Sequence, residues 1–152
     1  MPKKLPVLPK DYNPGLMDRI TPHFRARELW CPHCHVLPTK AFSDMLESLR
    51  VAFGKAINPS SVYRCEVHNK AVGGSRWSAH TYCNLYDEDN GPLGAIDIKI
   101  VRARKRDRFI LLRAIYTLGF NMVEIADKHI HAAIVPKGHP MYMKHYSGFK
   151  SK

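Results

Sequence analysis

Long apolar runs are missing from this sequence. No stretch approaches the roughly 20 apolar residues that a membrane-spanning helix requires, so no span is expected. The opening MPKKLPVLPKDYNPG also lacks the apolar run of a secretory signal. The expectation is a soluble protein made in the cytoplasm, which would reach an extracellular target by lysis or by separate machinery. Acidic residues are scarce: 13 Asp and Glu stand against 24 Lys and Arg, a formal charge of +11. Such a surface attracts polyanions, although a merely solvated basic surface reads the same way. Internal repeats and low-complexity tracts are absent as well, which argues against a solenoid.

Cysteine is sparse, with four residues and no export signal, so a disulfide framework is not expected. Cys31-Pro32-His33-Cys34-His35 has the spacing of half a structural zinc site. No second pair at similar spacing exists, and only the fold could bring Cys65, Cys83, His33 or His35 to complete it. Free, reduced cysteines are the expected reading.

The chain has 152 residues, 45% of them hydrophobic, enough for one core and too few for two. Residues 1–21 carry four prolines without an apolar period and read as an extended arm. From Thr39, Phe42, Met45, Leu46, Leu49 and Phe53 recur at helical spacing, with Thr39 as cap and Gly54 as stop. Ser61 to Arg64 reads as a strand, Glu66 to Val72 as a short helix ended by Gly73-Gly74, and Thr81 to Gly94 as a polar loop. Ala95 to Val101 alternates as a strand, with Ile96, Ile98 and Ile100 on one face and Asp97 on the other. A second core helix follows, carried by Phe109, Leu112, Ile115, Tyr116 and Leu118 and closed by Gly119. Val123 to Ile125 and Ile130 to Val135 read as strands, and residues 137–152 as a basic, aromatic tail. The expected fold is α+β, with a small antiparallel sheet and helices on one of its faces.

The strongest chemical constellation is His129-Ile130-His131, because residues two apart in a strand point the same way. A catalytic zinc takes three protein ligands from His, Asp or Glu and keeps a fourth position open. His80, ahead of the polar loop, and Asp97, on the strand after it, complement the pair. Other features are weaker. Asp87, Asp89 and Gly91 open like a calcium loop, but the closing glutamate is missing, which leaves an acidic loop beside the site. Arg102, Arg104, Lys105, Arg106 and Arg108 lack the interleaved aromatics or binding motif that nucleic acid would call for, and Phe109 is expected in the core. Trp77 suits either a substrate cleft or packing under the loop.

The run Ser61-Val62-Tyr63-Arg64-Cys65-Glu66-Val67-His68-Asn69-Lys70-Ala71-Val72-Gly73-Gly74-Ser75, followed by Ser78-Ala79-His80, resembles the zinc D-alanyl-D-alanine carboxypeptidase family (peptidase family M15, subfamily A). Phage endolysins and vancomycin-resistance dipeptidases belong there, and the Hedgehog signalling domain shares the fold. His23-Phe24 with Arg27-Glu28-Leu29 is similar to the start of that domain, so the likeness covers about Pro22 to Pro136. The resemblance implies His80, Asp97 and His131 as zinc ligands, His129 as a catalytic histidine, and Arg64 as the group that binds substrate or oxyanion. Seventeen residues separate His80 from Asp97, about ten more than in the family pattern, which implies an insertion over Tyr82 to Pro92. Leu93 stands where the family has a glycine. Asp87 and Asp89 remain alternative carboxylate ligands.

For the general base, many relatives use a glutamate ahead of the last ligand, and Glu124 is the nearest. Strand alternation puts Asp127, His129 and His131 on one face and Glu124 on the other, unless residues 126–128 turn. The order of expectation is His129, Glu124, Asp127. The function implied is a monomeric zinc peptidase that hydrolyses peptidoglycan peptides through a zinc-activated water, as carboxypeptidase or endopeptidase, of phage or bacterial origin. An anionic wall polymer would suit the basic surface. The alternatives are a zinc-containing binding module without turnover and a basic nucleic-acid-binding protein.

Overall fold

The computed structural model describes Lys3, Lys4 and residues 14–147. Most of the expected arm and the last five residues of the expected tail lie outside that range. In chain order the elements are β1 (Lys3–Lys4), α1 (Ala26–Leu29), α2 (Lys40–Phe53), β2 (Pro59–Ser61), α3 (Glu66–Ala71), a 3-10 turn (Ala79–Tyr82), β3 (Leu85–Asp87), β4 (Gly91–Pro92), β5 (Gly94–Lys99), α4 (Lys105–Thr117), β6 (Met122–Ile125), β7 (His129–Ile134) and β8 (His145–Ser147). The fold is α+β.

Five strands form the main sheet in the order β2-β5-β7-β6-β8, antiparallel except for the parallel pair β6 and β8. Because side chains alternate, register decides what each face holds. One face presents Ile96 and Ile98 from β5, Ile130 and Ile134 from β7 and Val123 from β6, all buried. Phe42, Leu46 and Leu49 of α2 and Leu111 and Ile115 of α4 cover it in a single core. The opposite face presents Ala95, Asp97, His129, His131, Ala133, Met122 and Glu124.

The helix α2 runs as its sequence predicts. Thr39 Oγ1 accepts the Phe42 N–H at 3.1 Å, and Gly54 closes the helix at φ +77°. In α4 the buried stripe is rotated from the expected one. Leu111, Ala114 and Ile115 face the core, whereas Phe109 is 66% and Tyr116 47% exposed. Residues 111, 114, 115 and 118 satisfy helical spacing as well as the predicted set does, and packing on the sheet turns that stripe inward while Phe109 and Tyr116 stay outside. Arg108, from the basic run, fixes the entry to α4 by donating to the carbonyls of Ala103 and Ile100, both at 3.2 Å.

The segment expected as a loop over Thr81 to Gly94 contains a hairpin. Its strands β3 and β4 pair as Tyr86 with Pro92 and Asp87 with Gly91, and β1 adds a third strand on β3. Asn90 donates to the Asp87 carboxylate at 2.6 Å and Gly91 sits at φ +78°, so turn chemistry accounts for this acidic cluster without a cation. The segment rejoins the sheet at Gly94. A Cβ there would lie 2.8 Å from both Phe42 and Cys83 Sγ, so only glycine fits where β5 passes over the core.

Candidate metal centre

Three elements bring His80, Asp97 and His131 together. Asp97 and His131 are direct cross-strand partners of β5 and β7, so their side chains leave the same face. His80 arrives from the 3-10 turn, which packs on that face above Ala95. One ligand atom from each residue lies within 4.8 Å of the others.

The hydrogen bonding of this triad points to a cation. His80 is buried, and its Nδ1 lies 2.6 Å from the Val62 carbonyl, which makes Nδ1 the protonated nitrogen. Burial pushes the imidazole pKa down and favours this neutral form over the opposing pull of Asp97. Nε2 then carries a lone pair, has no hydrogen-bond donor, and stands 3.2 Å from Asp97 Oδ2, another acceptor. Two acceptors this close repel each other unless something positive lies between them. The other carboxylate oxygen, Oδ1, accepts from His131 Nδ1 at 2.7 Å. Burial raises the Asp97 pKa, but the hydrogen bond from His131 leads the causes that outweigh it and hold the carboxyl well below the usual carboxylate range. Asp97 is therefore ionised, and two imidazoles with one carboxylate make a donor set of the catalytic zinc kind.

The triad forms one wall of a cavity of about 610 Å³, a size suited to a few residues of an extended peptide. Residues 22–133 match the Peptidase M15 family. The chain belongs to that family of metallopeptidases. It matches no curated protein and no solved structure. In this M15 chain, the long spacing between His80 and Asp97 is absorbed by the hairpin of β3 and β4, which leaves the register of β5 intact. Neither Asp87 nor Asp89 lines the cavity or joins the triad, so Asp97 and not these alternatives is the carboxylate that faces the two histidines.

Arg64, Glu124 and His129 all line the cavity. Arg64 is held between two supports: its N–H donates to the His80 carbonyl at 3.2 Å, and its Nη1 donates to Asn69 Oδ1 at 3.3 Å. Asn69 is itself buried and donates to the Ser75 carbonyl at 2.8 Å. A Cβ on Gly74 would stand 2.1 Å from Asn69 Oδ1, so the His-Asn and Gly-Gly signature is the packing that aims Arg64.

The exception allowed for at residues 126–128 applies, and it decides where Glu124 points. The β6–β7 hairpin reverses at Asp127-Lys128, where Ala126 N–H donates to the His129 carbonyl at 3.0 Å. Glu124 consequently pairs with His131 and shares its face. Strand parity does not carry across a turn, which resets which residues are neighbours. Asp127 is exposed at that turn and does not line the cavity.

His139 is a cavity residue that sequence reasoning missed. It is buried, its Nε2 donates to the Trp77 carbonyl at 2.7 Å, and its Nδ1 accepts from Met141 N–H at 3.0 Å. With both nitrogens engaged, it serves to pin the Trp77 loop to the C-terminal segment. Burial lowers its pKa, which suits this neutral role. Trp77, 45% exposed, lines the cavity mouth with Arg76 over its ring. No local motif marks His139. The segment expected as a tail closes the cavity and adds β8 to the sheet.

Proposed function

We propose that this chain is a zinc peptidase that hydrolyses peptide bonds of peptidoglycan, with His80, Asp97 and His131 as the metal ligands. The observation that carries this reading is the acceptor pair of buried His80 Nε2 and Asp97 Oδ2, with no donor between them, in the wall of a cavity in a chain of the M15 family. Zinc, when bound, lowers the pKa of a water molecule and polarises the scissile carbonyl.

The protein's own groups account for the remaining steps. Glu124, the cross-strand partner of His131, takes a proton from water as its oxygen joins the carbonyl carbon. It returns a proton to the amine nitrogen as the C–N bond breaks. Arg64 donates to the developing oxyanion or to a substrate carboxylate, with Asn69 fixing its direction. His129 lies two residues along β7, opposite Lys99 and next to the turn, where it can serve the leaving amine. The structural register thus favours Glu124 over His129 as the base. A net charge of +11 supports attraction to anionic wall polymers and to acidic wall peptides.

Incubation of purified peptidoglycan with zinc-loaded protein tests the reading. New amino termini or released D-alanine are expected from the wild type, and a loss of about 100-fold or more from Glu124→Gln with zinc retained. Release of neither product at any pH or metal load would leave a metal-holding binding module instead.

A further inference from the structure

A second cluster of metal-ligating groups lies away from the cavity. Cys31 follows α1, Cys34 sits three residues on in a tight turn, and Cys65 caps α3 from a segment over thirty residues later in the chain. Their three sulfur atoms lie within 4.8 Å of one another, and none is in a disulfide. The sequence alone leaves the CPHC segment as half a site; the fold supplies the missing thiol.

The turn is built for convergence. Cys31 N–H donates to the Val36 carbonyl at 3.0 Å, His35 N–H returns to the Cys31 carbonyl at 2.8 Å, and His35 takes φ +57° to close the loop. Backbone donors also point at the sulfurs: Cys65 N–H at Cys31 Sγ and His68 N–H at Cys65 Sγ, each at 3.4 Å. His33 Nδ1 lies 3.5 Å from Cys65 Sγ but outside the three-sulfur group, so its ring must swing toward the other two thiols to supply a fourth ligand. Zinc bonds of about 2.0 Å to nitrogen and 2.3 Å to sulfur at a tetrahedral angle give a ligand-to-ligand distance of about 3.5 Å. The corresponding sulfur-to-sulfur distance is about 3.8 Å, so contraction by about 1 Å at most would bring the thiols to bonding positions. His35 is unsuited to the role, because its ring stacks on Trp30 at 4.2 Å between centroids.

We infer that Cys31, Cys34, Cys65 and His33 hold a second, structural zinc ion, which clasps the α1 turn to the segment that carries Arg64. Four protein ligands leave no open position, so the ion is not catalytic. Its role follows from its place in the chain: Cys65 is adjacent to Arg64 and begins the helix whose Asn69 orients that arginine.

The test uses the full chain with the first site removed, as Asp97→Asn with His131→Ala, expressed with zinc or with cobalt. About one zinc per chain should remain, and the cobalt form should show thiolate-to-cobalt charge-transfer absorption in the near ultraviolet. Cys34→Ser in that background should abolish the band and the bound zinc, and His33→Ala should speed zinc loss to a chelator by about tenfold or more. Should the cysteine variant fail to fold, the wild type still decides. A chelator should expose three thiols to a thiol reagent together, while buried Cys83 stays silent until denaturation. Absence of zinc from the Asp97/His131 variant, a cobalt spectrum without thiolate bands, or a Cys31–Cys34 disulfide in the purified protein would overturn the inference. None of these readouts depends on peptidase activity.

Discussion

Single side chains decide both chemistry and local stability here. Asp97 shows how closely the two are coupled, since it is the one carboxylate of the triad and its charge is held by the His131 ring. Asp97→Asn should therefore retain the fold and lose the metal, measurable as a drop of about one zinc per chain by elemental analysis. Glu47 offers a separate test with no metal involved. Burial raises its pKa, but the His23 ring at 2.6 Å and the His23 N–H at 2.7 Å outweigh this and lower it. A carboxyl with a lower pKa folded than unfolded contributes stability above its unfolded pKa and loses it as pH falls through the folded value. Glu47→Gln should thus cost about 1 kcal/mol in urea unfolding at pH 7, and the difference should fade as pH drops through and below the usual carboxylate range. Equal destabilisation at pH 7 and below that range would show that the charge of Glu47 contributes nothing.

At the scale of elements, the sheet carries the site and the turns set its register. Gly94 is the point where the inserted hairpin hands the chain back to β5, and no side chain fits there. Gly94→Ala should destabilise by about 2 kcal/mol or more, read from the urea midpoint at constant slope. Removal of the hairpin tip, residues 88–90, should leave metal binding intact, because neither strand of that hairpin lines the cavity. Loss of zinc on that deletion would show that the hairpin supports the ligands.

For the whole molecule, closure of the cavity depends on the C-terminal segment. Truncation after Pro136 removes the bond from His139 to Trp77 and the edge strand β8. A fall in thermal midpoint of about 5 °C or more is expected, with peptide turnover reduced and zinc retained at the first site. An unchanged midpoint would mean that the segment merely rests on the domain.

Much of this was legible from residue patterns alone. The capped helix α2 follows from 3.6-residue spacing, and the inward isoleucines of β5 from alternation, because both signals are local and periodic. Asp97 and His131 could be paired as candidates because each stands on a recognisable strand opposite an apolar face. Three matters required the tertiary structure. The parity of Glu124 depends on where a hairpin reverses, which alternation within one strand does not specify. The buried stripe of α4 depends on what the sheet presents, since two helical faces were comparably apolar. The company of Cys31 and Cys34 depends on a contact with Cys65 made only when the chain folds back, and long-range proximity leaves no mark in local spacing.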